Sequence, residues 1–292
     1  MLAEILSVVA PLFICAGIGF VWGRLDKPFD AEMMTGLALH LGVPCLVFST
    51  LTRLDISPAA FGEMAGAYTL ALLLFMALAA ALTRLLRLEA RAFIPALTFR
   101  NSGNLGLPVC LFAFGEAGLA YGIGCFVIAA LSGLTVGRGI YAGSTVFEAL
   151  FRNPIVYAIA ISLVFMIGGI EPPAWLANTV EIVSGMAIPL MVVSLGVALS
   201  KIRVVGMGRA AALSALELAA GFAVGVGLAD LFGLTGVARG VLILQCAMPV
   251  AVHNYVFSEV YRRSPETVAG MVVMSSLLAC FTLPAVLWFV LR

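Results

Sequence analysis

Residues 100–108 read Arg-Asn-Ser-Gly-Asn-Leu-Gly-Leu-Pro and lie in the middle of an apolar stretch, residues 92–115. Proline removes a backbone donor and disfavours helical backbone in the residue before it, while glycine permits extended or left-handed backbone. The run therefore predicts an interruption of a helix. Inside a membrane, such an interruption is tolerated only where protein buries it or water lines it.

The composition places the chain in a membrane. Of its 292 residues, 63% are hydrophobic and 11% are charged, and the mean hydropathy is +1.14. Soluble domains are about a quarter charged, so this chain cannot cover a globular surface with polar groups. The composition therefore excludes a soluble enzyme, a nucleic-acid-binding protein and a secreted domain.

Ten apolar stretches have the length of a membrane helix, which needs about 20 residues. Because backbone groups in lipid must be bonded within their own segment, and because the stretches are continuous, the sequence predicts an all-α membrane protein with ten transmembrane helices. The predicted spans are 4–23, 32–52, 62–83, 92–115, 118–137, 154–170, 178–199, 210–232, 237–259 and 267–291. The first is expected to be retained rather than cleaved, since Glu4 stands where a signal peptide carries basic residues.

Lys and Arg predict the orientation of these spans, because cytoplasmic loops carry an excess of both. Twelve of the sixteen follow odd-numbered spans: Arg24, Lys27, Arg84, Arg87, Arg91, Arg138, Arg152, Lys201, Arg203, Arg209, Arg262 and Arg263. Three lie on the opposite side: Arg53, Arg239 and Arg292. Both termini are therefore predicted to lie outside the cytoplasm.

The two halves of the chain resemble each other. Spans 2 and 7 share the pattern Pro-x-x-Val-x-Ser at an offset of 145 residues. Pro108 of span 4 and Pro249 of span 9 share a Pro-Val pair at an offset of 141, each four residues after a side-chain amide, Asn104 or Gln245. Because five spans are an odd number, the second copy enters the membrane from the opposite face, as in many secondary transporters. The predicted repeats are residues 1–146 and 147–292.

Helix-breaking residues and amides coincide in spans 4 and 9, which predicts a binding site there. The ends of broken helices carry partial charges that suit an anionic substrate. A plain proline kink is the alternative explanation for either span alone. The candidate substrate-binding residues are Arg100, Asn101, Asn104, Gln245, His253 and Asn254, and the candidate hinge residues are Gly103, Gly106, Pro108 and Pro249.

Few ionisable residues lie within the spans, and such residues are functional candidates because burying a charge in lipid is costly. Glu217 in span 8 and His253 in span 9 are candidates for ion coupling; hydrogen bonding to a neighbouring helix and plain packing are the respective alternatives. Arg100 is either a counter-charge for a carboxylate or a side chain that extends toward the cytoplasmic face.

The segments Asn101–Pro108 and Ala247–Tyr255 resemble spans 4 and 9 of the auxin efflux carrier family, which includes plant auxin exporters and bacterial permeases, some of them for malonate. The segments around Pro44 and Pro189 and the start of span 6 are also similar, so that the resemblance covers essentially the whole chain. It implies broken spans 4 and 9 that cross in mid-membrane, a scaffold of spans 1, 2, 6 and 7, a moving bundle of spans 3–5 and 8–10, and a homodimer. A long cytoplasmic loop found in some plant members is missing, which points to a bacterial-type member.

The sequence thus predicts a secondary active transporter of small organic anions in a bacterial inner membrane, working by elevator-type alternating access and driven by protons through Glu217 or His253. A sodium-coupled symporter of the bile-acid carrier type is an alternative, with oxygen ligands from Asn101, Asn104, Gln245 and Glu217. A channel or sensor on the same fold is another. An enzyme is not expected, because nucleotide-binding, HExxH and G-x-S-x-G motifs are missing from the sequence. Neither a cofactor, a metal site nor a nucleic-acid partner is predicted.

Overall fold

The structure is a computed structural model that describes residues 2–53, 57–145, 148–151, 153–202 and 207–292. These residues form helices joined by short turns, together with one isolated β-bridge. The prediction of an all-α membrane protein is confirmed at this level. The predicted boundary between the repeats, 146/147, lies outside the described residues, as do Arg152 and Arg203 of the basic set.

The helices of the first half are α1 (Leu2–Arg24), α2 (Ala31–Leu37), α3 (Val43–Arg53), α4 (Pro58–Leu85), α5 (Ala90–Thr98), α6 (Leu107–Ser132) and α7 (Arg138–Ala142). Those of the second half are α8 (Glu148–Phe151), α9 (Pro154–Gly168), α10 (Ala174–Ser184), α11 (Ala187–Lys201), α12 (Met207–Leu231), α13 (Gly236–Cys246), α14 (Val252–Val260) and α15 (Pro265–Val290). Three further segments are single π-helical turns. Ala38–Gly42 joins α2 to α3, Ser102–Gly106 precedes α6, and Gly133–Gly137 joins α6 to α7.

Seven stretches of the described chain are long and apolar enough to cross a membrane: Leu2–Arg24, Met33–Arg53, Pro58–Leu85, Ser102–Ala142, Ala174–Lys201, Met207–Leu231 and Pro265–Val290. The predicted spans 1, 2, 3, 7, 8 and 10 each coincide with one of them. The stretch Ser102–Ala142 contains most of span 4 and all of span 5, which Gly115 separates with a left-handed φ of 64°. Span 6 is the shorter helix α9, and span 9 is divided between α13 and α14.

Polar residues at the loops determine where several helices begin. Ser57 caps α4 by accepting a hydrogen bond from the backbone N–H of Ala60 (3.2 Å), and Asn153 caps α9 in the same way through Ile155 (3.0 Å). A proline follows each cap, at the position where a missing N–H costs nothing. Helix α9 begins at the predicted start of span 6, whereas α4 begins four residues before residue 62, the predicted start of span 3.

Glycines bring α1 and α11 into backbone contact. A Cβ atom at Gly19 would overlap the carbonyl of Val193, and one at Gly196 would overlap the carbonyl of Ala16. Close approach at small residues is the usual basis of helix association in lipid, where dispersion replaces the hydrophobic effect. Helices α1 and α11 therefore form a tightly packed pair.

The remaining helices form two groups around this pair. Helix α3 packs against α9 and α10, and Arg53 of α3 pairs with Glu181 of α10 at 2.9 Å. Helix α12 packs against α13, α15 and α4, while α6 packs against α13 and α4. The largest buried cluster lies mainly between α4, α6, α13 and α15, around the ends of α5 and α13.

Candidate functional site at two paired helix breaks

Two helices are interrupted at the same place in the molecule. Helix α5 ends at Thr98 and is followed by non-helical residues 99–101, and α13 ends at Cys246 and is followed by non-helical residues 247–251. The two segments, called here the paired breaks, form an antiparallel bridge between Arg100 and Val250. The backbone N–H of Asn101 donates to the carbonyl of Pro249 (2.7 Å), and that of Ala251 donates to the carbonyl of Phe99 (3.2 Å). Each break thus satisfies backbone groups that the other leaves unbonded.

The first break lies before the two glycines and the proline that were predicted to form it. Gly103 and Gly106 belong to the π-helical turn that precedes α6, and Pro108 lies in the first turn of α6, where proline is well tolerated. The two glycines serve close packing instead. A Cβ at Gly106 would lie 2.5 Å from Oε1 of Gln245, and one at Gly103 would lie 2.8 Å from Cε2 of Phe126.

Three buried amides lie at the paired breaks. Gln245 donates weakly from Nε2 to the carbonyl of Ser102 (3.4 Å), and Asn254 donates from Nδ2 to the carbonyl of Phe99 (2.9 Å). Asn101, Gln245 and Asn254 are 4%, 0% and 1% exposed. Asn101 Nδ2, Gln245 Oε1 and Asn254 Oδ1 have no hydrogen-bond partner among the described residues, and we call them the open atoms. Buried polar atoms without partners are uncommon in folded proteins and call for an explanation.

Two further predicted residues lie at the edge of this cluster. His253 precedes Asn254 in α14, and its ring packs near Phe257 with centroids 5.7 Å apart. Its buried Nε2 atom lies 3.4 Å from the position of a Cβ at Gly133 and, within the described part of the chain, has no hydrogen-bond partner. Asn104 is half-buried in the π-helical turn before α6.

Arg100 and Glu217 form a buried ion pair. Nη1 of Arg100 bonds to Oε1 of Glu217, and Nη2 donates to the Glu217 carbonyl at 3.1 Å. Nη1 also donates to the carbonyl of Met248 at 3.3 Å, and Cζ lies 4.0 Å from the ring centroid of Phe75. The side chain of Arg100 is only 1% exposed, and the carboxylate with which it pairs belongs to the chain itself; a role of Arg100 in substrate binding stays a prediction.

The sequence profile of the membrane transport protein family matches residues 140–287, which is more than half of the chain. The chain belongs to the membrane transport protein family. This is the family of the auxin efflux carriers, so the resemblance seen in the sequence is confirmed.

Relatives of this membrane transport protein are named as transporters. It is 21% identical to an uncharacterized transporter of Methanocaldococcus jannaschii over 99% of both chains, and 25% identical to one of Methanothermobacter thermautotrophicus over 89% of both. It is 31% identical to auxin efflux carrier component 1 of Arabidopsis thaliana over 46% of this chain and 23% of that protein. A role in membrane transport follows from these similarities.

Some residues of the membrane transport protein's paired breaks were not predicted. Tyr68 of α4 shares a hydrogen bond with Ser102 (2.8 Å), Phe75 stacks on Arg100, and Ser275 of α15 accepts from the backbone N–H of Val250 (3.1 Å). Aromatic and hydroxyl side chains are ordinary in apolar helices, so the sequence gives no signal that distinguishes these three. Ser102 is a polar residue within the run 100–108, so it could have been predicted as a residue of this site.

Proposed function

We propose that this membrane transport protein is a secondary active transporter of small organic anions that bind at the paired breaks. The observation that carries the proposal is the set of open atoms on three buried amides. Leaving a buried polar atom unbonded costs about 1–3 kcal/mol, so three of them together are best explained by a ligand that completes their hydrogen bonds.

The open atoms suit a particular kind of anion. Asn101 Nδ2 is a donor and can bind a carboxylate oxygen, whereas Gln245 Oε1 and Asn254 Oδ1 are acceptors and can bind a hydroxyl or a protonated carboxyl. The N-terminus of α14, which begins at Val252 directly after the second break, adds partial positive charge. A small dicarboxylate that carries one proton, or a hydroxycarboxylate, offers both a charged and a neutral group. Asn104 and His253 would line the rim of this site.

For the mechanism, we propose the ten-span inverted repeat, with spans 3–5 and 8–10 moving as one body against spans 1, 2, 6 and 7. Polar contacts within the proposed moving body support this division. Glu89 bonds to Arg263 (3.3 Å) and Ser264 (2.7 Å), and Arg138 donates to the hydroxyl of Tyr261 (3.0 Å). The boundary with the other body is apolar and includes Val43, Leu46, Leu51, Phe61, Leu107, Ile123, Phe126, Val127 and Met191. An apolar boundary can slide without breaking hydrogen bonds.

The proposal includes a location and an assembly. We place the protein in a bacterial inner membrane on its resemblance to bacterial-type members of the family, and both termini outside the cytoplasm on the distribution of Lys and Arg. A homodimer is part of the same proposal and is suggested by the family resemblance alone.

Transport into liposomes tests the proposed function. Purified protein is reconstituted, and uptake of radiolabelled malonate, succinate and lactate is measured with and without imposed pH and sodium gradients. The proposal expects saturable uptake of at least one of the three carboxylates above that of protein-free liposomes. Uptake indistinguishable from protein-free liposomes for all three carboxylates under every gradient would contradict it.

Gly106→Ala is expected to lower carboxylate uptake up to about tenfold, because the loss of a hydrogen bond to a neutral group costs about 0.5–1.5 kcal/mol. The backbone of Gly106 is helical, so alanine fits it, but its methyl group would lie 2.5 Å from Gln245 Oε1 and would displace that amide. Initial uptake rates measure the effect. Gly66→Ala is the matched control, because no atom of a neighbouring element in the described part of the chain lies within 4 Å of its added methyl group. Equal rates in both variants would count against a role for Gln245.

His253→Gln is expected to abolish the acceleration of uptake by an imposed pH gradient, because the buried Nε2 atom of His253 has no hydrogen-bond partner among the described residues and can take up a proton when an anion binds beside it. Proton uptake at His253 Nε2 would accompany binding of the anion. The matched control is His40→Gln, since His40 is exposed and bonds through Nδ1 to the carbonyl of Gly36 (3.1 Å). A His253→Gln protein that still responds fully to the gradient would exclude this role.

A further inference from the structure

The guanidinium group of Arg100 lies in a buried cage of oxygen atoms and one aromatic ring. The cage consists of the Glu217 carboxylate, the carbonyls of Glu217 and Met248, and the ring of Phe75. The side chains of Arg100 and Glu217 are 1% and 0% exposed. The positive charge of Arg100 therefore lies between two helices, α4 and α12, and the two paired breaks.

The cage has the composition of a cation site. Carboxylate and backbone carbonyl oxygens are the ligands of hard cations, and transporters place such ligands where helices are unwound. The carbonyl of Met248 belongs to the second break, and the face of Phe75 also attracts positive charge. In this protein, a side chain of the chain itself supplies the cation.

The backbone of α12 leaves room for this group. A Cβ at Gly221, one turn beyond Glu217, would lie 2.8 Å from Nη1 and 2.9 Å from Cζ of Arg100. A cleft of about 300 Å³ between α4, α5 and α12 is lined in part by Arg100 and Glu217. Removal of the arginine side chain would therefore leave a space beside the carboxylate that continues into this cleft.

We propose that Arg100 is a tethered cation: its guanidinium permanently fills a cation site formed by Glu217, the Met248 carbonyl and Phe75, so that no exchangeable sodium ion binds there. Where it concerns transport, this inference rests on the proposed function. It makes Glu217 a positioning residue that holds Arg100 and the second break together. It also removes Glu217 from the ligands available to a sodium-coupled symporter.

Chemical rescue tests the tethered cation. Purified Arg100→Ala is expected to unfold at least about 5 °C below the wild type, because a buried carboxylate is left unpaired. Free guanidinium at about 10 mM, compared with choline at the same ionic strength, is expected to restore about half of that loss by binding in the vacated cage. The wild type, whose cage is filled, is expected to show no stabilisation by guanidinium and no difference between sodium and choline.

Arg239→Ala is the matched control. Arg239 also pairs with a carboxylate, that of Asp230 at 3.3 Å, and lies 5.5 Å from the ring centroid of Phe289. Unlike Arg100 and Glu217, however, the side chains of Arg239 and Asp230 are exposed to solvent or lipid, 30% and 63%. Guanidinium is expected to restore no stability to Arg239→Ala. It is also expected to restore none to the double variant Arg100→Ala/Glu217→Gln, which lacks the carboxylate that would bind it. Three results would overturn the proposal. Guanidinium could stabilise Arg100→Ala and Arg239→Ala equally, it could fail to stabilise Arg100→Ala, or sodium could stabilise the wild type.

A second set of variants covers the case in which Arg100→Ala does not fold. Arg100→Gln and Glu217→Gln each leave one buried charge unpaired, whereas the double variant leaves none. The double variant is therefore expected to unfold at a higher temperature than either single variant. A double variant no more stable than the weaker single variant would contradict a cation held by Glu217.

Uptake measurements separate this inference from the proposed function. Carboxylate uptake by the wild type is expected to agree within about twofold between sodium and choline media, because the cage already holds its cation. A stimulation by sodium of tenfold or more would contradict the tethered cation and leave organic-anion transport intact. Guanidinium rescue without any carboxylate uptake would contradict only the proposed function.

Discussion

Replacing Asn101 and Gln245 together by alanine is expected to lower the initial rate of carboxylate uptake about 100-fold, since a hydrogen bond to a charged group contributes about 1.5–3 kcal/mol and one to a neutral group about 0.5–1.5 kcal/mol. In the structure, the Gln245 side chain donates two long hydrogen bonds, to the carbonyl of Ser102 (3.4 Å) and to Sγ of Cys110 (3.6 Å), and Asn101 and Gln245 each carry an open atom. Their loss therefore removes contacts to the substrate while it removes little that stabilises the fold. Uptake into liposomes, with the thermal midpoint of the same preparation, measures both effects.

Thr98→Val is the control for this pair. Thr98 is fully buried three residues before Asn101, but its hydroxyl bonds to the carbonyl of Ile94 in its own helix (2.7 Å). Valine has nearly the same shape, so uptake is expected to change less than about twofold. Wild-type uptake in the Asn101→Ala/Gln245→Ala protein would remove both amides from the substrate site.

Gly196→Ala is expected to lower the free energy of unfolding by about 3 kcal/mol or more, at the upper end of the usual cost of overpacking, because the added methyl group meets backbone rather than a movable side chain. It would overlap the carbonyl of Ala16, so α1 and α11 must separate along their whole contact. Titration with SDS, followed by circular dichroism, measures the change.

Gly17→Ala is the matched control on the facing helix. No atom of a neighbouring helix in the described part of the chain lies within 4 Å of its added methyl group. Because alanine favours helix over glycine by about 1 kcal/mol, the free energy of unfolding is expected to stay the same or rise. Equal destabilisation of both variants would mean that close contact between α1 and α11 is not what stabilises this pair.

The sequence predicts the helical membrane fold well because its main signals are local. The length of each apolar stretch and the run 100–108 both act within one helix or loop. The position of the first break was less accurate. The run suggested unwound backbone as far as Pro108, but residues 102–108 are helical, since proline fits a first turn and the two glycines serve close packing.

The candidate site was partly predictable for the same reason. Asn101, Gln245 and Asn254 stand next to the breaks in the sequence, and in the structure Gln245 and Asn254 bond to the carbonyls of Ser102 and Phe99, on either side of Asn101. The pairing of Arg100 with Glu217 could not be derived, because 117 residues separate them and only the packing of α12 on the second break brings them into contact. Local patterns identify where a helix is broken, whereas the partner of a buried charge depends on tertiary packing.

The most direct test of an organic-anion site at the paired breaks is equilibrium binding of radiolabelled carboxylates to purified protein, because binding does not depend on the transport mechanism. Malonate, succinate and lactate are compared on the wild type and on Asn101→Ala/Gln245→Ala. We expect saturable binding of at least one of them to the wild type and binding about 100-fold weaker to the variant, which loses one hydrogen bond to a charged group and one to a neutral group of the ligand. Equal affinity of the two proteins for the same carboxylate would contradict the site.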